Sequence, residues 1–405
     1  MIKGGNYAMD LAISKQEEDF RHELRKWLEE NLPEGWLAGK RDLPEDNEAY
    51  KAFLVDWQKK LYDGGWGAVS WPKEYGGRDA TLMEEIIYHE EMVRVQAPPL
   101  INYIGINMVG PTLMQSGTPE QKEYIHKIIT GEEIWCQGYS EPNAGSDLAA
   151  IQTTAVKDND GWKINGQKTW TSFGHVADKC FLLARTSTHP EKKHRGITAF
   201  LIDMDQPGVE TVPIVQMDGG QDFNEVYLND AVAEDADIIG ELDKGWRVMI
   251  ALMLHERTGI GAELFTLEKR FDDLVAMTKT FERNGKPLIK DPFIRQQMAN
   301  FYTRLRGSLL NYYRNLTHAL KTGQPGPESS IDKLAVSELT KEIASFAVSI
   351  QGPRSVLWKE DAPINKMWQD DFLFSFGQTI GGGTSEVQRN TIGERVLGLP
   401  KDMGR

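Results

Sequence analysis

The stretch Cys136-Gln137-Gly138-Tyr139-Ser140-Glu141-Pro142-Asn143-Ala144-Gly145-Ser146-Asp147 joins a strand-like run to a sharp turn of small residues. Ala144 and Gly145 leave room for a pyrophosphate or a ring edge to reach the backbone N–H groups of such a turn. Taken by itself, the pattern also fits an ordinary junction between strand and loop. Two further segments belong beside it: Lys168-Thr169-Trp170-Thr171-Ser172, and Gly381-Gly382-Gly383-Thr384-Ser385-Glu386-Val387-Gln388-Arg389.

Working outward from that stretch, the pattern changes on both sides. Before it, Phe20, Leu24, Trp27 and Leu28 share one helical face behind a Ser14/Glu17 capping-box spacing, and Phe53, Trp57 and Leu61 share another. Gly64-Gly65 ends that second helix, and a loop with Trp66 and Trp71 follows, its tryptophans expected to pin it to a core. Thr81 to Arg94 and Thr118 to Ile129 read as further helices. After the stretch come short apolar runs such as Cys180-Phe181-Leu182-Leu183-Ala184 and Ile197-Thr198-Ala199-Phe200-Leu201-Ile202. The hairpin signal Asp158-Asn159-Asp160-Gly161 lies among them, so a small antiparallel sheet pair or barrel is expected. From Gly245 the helical period returns. Ile294, Met298, Phe301, Leu305, Leu309, Tyr312 and Leu316 step by three or four behind Asp291 and Pro292, implying an antiparallel bundle. The break Gly323-Gln324-Pro325-Gly326-Pro327 separates this helix from the next.

The chain has 405 residues, 40% hydrophobic and 26% charged, with a net charge of −14, the profile of a soluble globular protein of several domains. No apolar run reaches the length of a membrane span, and neither a signal-peptide core nor an Arg-rich leader is present. Two cysteines, Cys136 and Cys180, fit a reducing cytoplasm. The acidity and the lack of a basic, aromatic-interleaved stripe argue against nucleic acid. The eight histidines show no ligand spacing, so no metal site is expected. Gly259-Ile260-Gly261 lacks the third glycine and the preceding strand of a dinucleotide-binding turn.

Together the three motifs and the order helices, strands, helices resemble the acyl-CoA dehydrogenase family of flavoenzymes over nearly the whole chain. The resemblance implies an α+β protein. Its parts would be an α-helical N-terminal domain (1–131), a middle antiparallel β-domain (132–240) and a C-terminal four-helix bundle (241–405). It implies FAD as cofactor, an acyl-CoA substrate, an electron-transfer flavoprotein as partner, and a homotetramer or heterotetramer. Carried over residue by residue, Gln137, Tyr139 and Ser140 would line the isoalloxazine and Ser146 would face the pyrophosphate. Trp170 and Ser172 would cover the ring, and Thr384 and Glu386 would contact the cofactor too. FAD and CoA are anions, so a chain this acidic must hold them by local donors rather than by its overall field.

Two departures from the family pattern stand out. Arg283, within Phe281-Glu282-Arg283-Asn284-Gly285, is a shifted replacement for a phosphate-binding arginine, and Gly352 lies in an altered flavin-contacting segment. More important, Gly382 occupies the turn position where many relatives carry the catalytic glutamate. Isovaleryl- and long-chain-type members place that glutamate on a helix, and Leu254-His255-Glu256-Arg257 matches their arrangement. Most helix glutamates are solvated, but Gly382 and Glu256 occurring together point to Glu256 as the base, with Arg257 beside the substrate. The backbone N–H of Gly382 would polarise the thioester carbonyl. The expected activity is α,β-dehydrogenation of a branched, long or bulky acyl-CoA. The alternatives are a non-catalytic subunit of a heteromeric complex, or an oxygen-using oxidase or monooxygenase of the same fold.

Overall fold

The computed structural model describes residues 13–41, 43–44, 46–158, 161–189, 191–256, 260–322, 326–358, 361–364 and 366–401. The chain forms two compact units, one on Asp19–Glu91 and Val95–Thr258, the other built chiefly on Gly259–Arg405.

Helices α1 (Lys15–Asn31), α2 (Asn47–Asp63) and α3 (Leu82–Val95) open the chain. The expected capping box of α1 is present. Glu17 accepts from the Ser14 N–H at 2.6 Å, and Ser14 Oγ accepts from the Glu17 N–H at 3.3 Å. Thr81 and Glu84 cap α3 in the same way, at 2.7 and 3.2 Å. Trp66 and Trp71 are buried, as a loop pinned to a core requires. The Trp71 indole N–H donates to the Ile106 carbonyl at 3.2 Å. Ile106 lies in a π-helical turn, Gly105–Val109, that leads into α4 (Gly110–Ser116). A Cβ on Gly110 would fall 2.4 Å from the Trp71 ring, so that crossing needs glycine.

Asn102 and Gln58, both fully buried, join this helical layer to the strands. The Asn102 side chain donates to the carbonyls of Ile128, at the heart of α5 (Tyr124–Thr130), and of Glu133, at 3.1 and 2.6 Å, and accepts from the Trp135 N–H at 2.9 Å. Gln58 accepts from the Asn102 N–H at 3.0 Å and donates to Ile128 at 2.9 Å. Every polar atom of the pair is bonded, which is the condition for burying amides without penalty.

The strands are β1 (Trp135–Gly138), β2 (Thr154–Asp158), β3 (Gly161–Ser172), β4 (Lys179–Arg185), β5 (Ile197–Asp203), β6 (Val209–Ile214), β7 (Phe223–Ala233) and β8 (Ile238–Ile239). They form one sheet in the order β6-β7-β3-β2-β4-β5-β8, with β1 attached to β4. Most pairs are antiparallel, as expected. β1 instead runs parallel to β4, with Cys136 opposite Cys180, because it enters from the helical layer rather than from a hairpin. β4 is buried on both faces, hence its unbroken apolar run. One face, with Trp135, Phe181, Leu183 and Ala199, packs with the helices, including Met249 and Leu252 of α6 (Gly245–Glu256). The other, with Cys136, Cys180, Leu182 and Phe200, meets Ile164 and Val226 of β3 and β7.

In the second unit, α7 (Ile260–Thr280), α8 (Pro292–Thr322), α9 (Ser329–Ile350) and α10 (Met367–Gln378) pack together, and α11 (Ser385–Thr391) lies against α9. Asp291 caps α8, its carboxylate accepting from the Phe293 N–H at 2.8 Å. Between α7 and α8 lies the short hairpin β9 (Glu282–Arg283) and β10 (Lys286–Pro287). Asn284 and Gly285 turn it with φ of 55° and 72°, the pair of positive values a type I′ turn needs. Of the break expected over residues 323–327, residues 323–325 lie outside the described residues.

Asp332 on α9 is 2% exposed. Its Oδ2 accepts from Asn315 on α8 at 2.6 Å, and its Oδ1 has no hydrogen-bond partner among the described residues. Burial pushes this carboxyl from 3.8 up to about 6, against the opposing Asn315 bond and the charge of Arg314. The folded protein therefore holds a proton that the unfolded chain has already released, and stability falls as pH rises from about 4 through 6. Across that window Asp332→Asn should gain on the wild type by about 3 kcal/mol. Denaturation midpoints of the two proteins at pH 4.5 and 7.5 check this; a difference that does not widen with pH refutes it.

Candidate active site

The site residues on the first unit follow from how β1 ends beside β3. The Thr169 N–H donates to the Ser140 carbonyl at 2.9 Å. Lys168, fully buried, donates from Nζ to the Tyr139 carbonyl at 3.2 Å and to Glu141 Oε1 at 2.8 Å. Glu141, 7% exposed, also accepts from the Gln152 and Thr153 N–H groups at 2.6 and 2.9 Å. One carboxylate thus closes the loop from Glu141 to Thr153 and ties it to β3. Burial alone would raise the Glu141 carboxyl, but the Lys168 charge and the hydrogen bonds from Lys168, Thr153 and Gln152 outweigh it and hold the group below its ordinary value. Burial pushes the Lys168 ammonium down, with Glu141 opposing. Neither residue was singled out as a site residue from sequence, although each sits inside a motif that was.

Tyr139 is buried with its ring edge-on to Phe181, while Gln137 and Ser140 are half-buried. Gly145, Ser146 and Asp147 are exposed, and nothing lies within 4 Å of where a Gly145 Cβ would be. Trp170 is the most unusual residue of this half. The β3/β7 register shifts between Lys168 and Thr171, and Trp170, in that bulge, has φ 60° and is 58% exposed. A left-handed backbone costs an L-residue about 1–2 kcal/mol, and bulges beside sites re-aim side chains. Its one ring neighbour among the described residues is Phe223, at 6.0 Å. Ser172 is half-buried two residues on. Beneath them, Thr171 and Asn224 are fully buried, with Thr171 Oγ1 and Asn224 Oδ1 lacking partners among the described residues. A flat exposed aromatic, a small-residue turn open to approach and unpaired buried oxygens suit a planar, phosphate-bearing group such as FAD.

The second unit holds the glycine turn. Gly382 and Gly383 have φ of 62° and 91°. Gln388 donates to the Gly382 carbonyl at 3.0 Å, and Lys333 on α9 to the carbonyls of Gln378 and Gly383 at 2.9 Å each. Thr384 is the N-cap of α11, its hydroxyl accepting from the Val387 N–H at 3.2 Å. Ser385 donates to Glu338 at 2.7 Å, and the hydrogen bonds from Ser385 and Lys341 hold that carboxyl low. The turn is thus fixed through its carbonyls, and the exposed Gly382 N–H donates to nothing among the described residues. Glu386 is exposed, 3.6 Å from Arg389. Arg283, also exposed, donates to the Ile350 carbonyl at 3.3 Å, at the C-terminal end of α9. Gly352, two residues past that carbonyl, has φ 62° and open space where a Cβ would be.

α6 ends at Glu256, one turn past the buried Leu252. The Glu256 side chain and the whole of Arg257 lie outside the described part of the chain.

The chain matches the acyl-CoA dehydrogenase N-terminal domain over residues 14–132, the middle domain over 136–231 and the C-terminal domain over 243–397. It is 38% identical to "Acyl-CoA dehydrogenase IpdE1" of Mycolicibacterium smegmatis over 95% of this chain and 98% of that one. Among solved structures, it superposes on a "Tcur3481-Tcur3483 steroid ACAD" with a TM-score of 0.83 at 28% identity, over 97% of this chain and 100% of that one. The "ChsE4-ChsE5 complex from Mycobacterium tuberculosis" gives 0.82 at 29%, with the same coverage. The chain belongs to the acyl-CoA dehydrogenase family. Members of that family are FAD-dependent oxidoreductases acting on CH–CH bonds, and the domain order is the one expected. Among the described residues no helix is long and apolar enough to cross a membrane.

Proposed function

We propose that this chain dehydrogenates the α,β bond of an acyl-CoA whose acyl group is bulky, to the 2,3-enoyl-CoA, and hands the electrons to an electron-transfer flavoprotein. The observation that carries this reading is the Gly382 turn, braced through its carbonyls by Lys333 and Gln388 while its own N–H stays available. A thioester carbonyl accepting from that N–H gains stabilisation as the α carbon becomes carbanion-like. Glu256 takes the α proton, and Arg257 helps bind the substrate. FAD, when bound, supplies the hydride acceptor. Gln137, Tyr139, Ser140, Trp170 and Ser172 hold its ring, Ser146 and Arg283 its phosphates, and Gly352, Thr384 and Glu386 complete its contacts. Without a side chain at Gly382, room is left beside the reacting carbons, and the solved relative described as a steroid enzyme supports a ring-bearing acyl group. Anaerobic addition of acyl-CoAs tests the reading. A ring-bearing or branched thioester should bleach the flavin fastest, and strict preference for butyryl-CoA would overturn it.

A second reading rests on the two-component names of both solved relatives. It makes this chain one of two different subunits. The chain purified alone would then lack full flavin absorbance, and would regain it with its partner.

A further inference from the structure

Trp170 is not the only left-handed residue of its segment: Phe173, just past the end of β3, has φ 57°. A bulky L-residue keeps such a backbone only where its surroundings hold it there. One buried side chain ties this segment together. Asn224 of β7 lies opposite Thr171, where the β3/β7 register resumes after its shift, and is fully buried. Its Nδ2 donates to the Thr171 carbonyl at 3.0 Å and, at the longer distance of 3.4 Å, to the Asp222 carbonyl. His175 Nδ1 accepts from it at 3.2 Å. The Asp222 carbonyl also accepts from the Phe173 N–H, at 2.7 Å. The amide thus gathers both strands and the turn that follows β3. Asn224 Oδ1, by contrast, has no partner among the described residues. The side chain is therefore kept for its donors, despite the cost of a bare buried oxygen. A Cβ on Gly174 would lie 3.2 Å from Thr171 Cγ2 and 3.4 Å from Asn224 Cβ, so the turn closes tightly around this residue. Phe223, next to Asn224, supplies the ring that stands edge-on to Trp170.

We propose that Asn224 is a positioning residue for the flavin: its buried amide holds the left-handed segment that turns the Trp170 ring outward to cover FAD. The inference rests on the reading above in which Trp170 holds the FAD ring, and deepens it. An amide N–H₂ suits the task, because the groups that converge on it are all acceptors. Leucine has nearly the shape of asparagine and none of its donors. Placed at 224, it would fill the same space and leave those acceptors without this donor, which is the costly way to lose a buried hydrogen bond. The strained backbone at Trp170 and Phe173 would then lose what opposes its relaxation.

The test is a double-mutant cycle on FAD affinity, measured by titrating the full chain, stripped of cofactor, with FAD. Asn224→Leu and Trp170→Ala should each weaken FAD about tenfold or more, and the double variant should bind no more weakly than Trp170→Ala alone. Asn224→Ser keeps one donor and should lie between wild type and Asn224→Leu; it carries the test if Asn224→Leu does not fold. Amide hydrogen exchange read by mass spectrometry needs no cofactor. Residues 169–177 should exchange about tenfold faster in the Asn224 variants, with residues 161–167 at the wild-type rate. Additive losses in the cycle overturn the proposal, since Asn224 would then serve FAD by another route than Trp170. Unchanged exchange over residues 169–177 overturns it too. A Trp170→Ala variant that binds FAD as the wild type does sinks the reading of Trp170 and takes the flavin role of Asn224 with it. The exchange rates then show whether the turn itself depends on Asn224.

Discussion

Glu256→Gln should leave a yellow protein whose turnover of its acyl-CoA is lower by about 10²–10⁴-fold, the usual contribution of a positioned general base. The effect should fall on kcat more than on KM, because glutamine keeps the volume and polarity of the side chain but cannot accept the α proton. Glu256 ends α6, whose Val248, Met249 and Leu252 are buried in the helical face of the first unit, so the helix that carries it is firmly seated. Rapid mixing without oxygen separates the proton-transfer step from reoxidation of the flavin. Gly382 carries no carboxylate to substitute, so a variant retaining near-normal flavin bleaching would remove Glu256 from the mechanism.

The second large effect concerns stability. Glu141→Gln leaves the fully buried Lys168 ammonium without its counter-charge, and removing one partner of a buried pair costs about 3–5 kcal/mol. Replacing both, as Glu141→Gln with Lys168→Met, should recover much of that loss, because no lone charge remains. Urea unfolding of the two single variants and the double variant gives the coupling directly. A loss below about 1 kcal/mol for Glu141→Gln would mean that water, not Glu141, solvates the ammonium. The wild-type pair has its own pH signature. Glu141 sits below its ordinary value, so its contribution is complete above the unfolded carboxyl range and disappears as pH falls through the folded value.

The contrast between what was and was not legible follows the range of each interaction. The caps at Ser14 and Asp291 and the anchoring tryptophans were readable, because each is settled by residues a few positions apart. The parallel seating of β1 on β4 was not, because register over some forty residues leaves no local periodicity. Glu141 and Lys168 look like surface charges in sequence; only the fold buries them together. The motif did mark Trp170, yet the left-handed bulge that turns its ring outward is a property of the β3/β7 register. The family pattern gave the candidate base at Glu256, while the residues that brace the Gly382 turn, Lys333 and Gln388, emerged from packing against α9 and α11.

Gln58 and Asn102 give the helical layer and β1 a fastening made wholly of neutral amides. No proton or added salt loosens such a knot, whereas the nearby turn depends on an ionised carboxylate. Acid strong enough to protonate Glu141, whose carboxyl is held below its ordinary value, should therefore unlatch the loop between Glu141 and Thr153 while the frame beneath it stays assembled, so that the loop yields first and the scaffold survives to close it again.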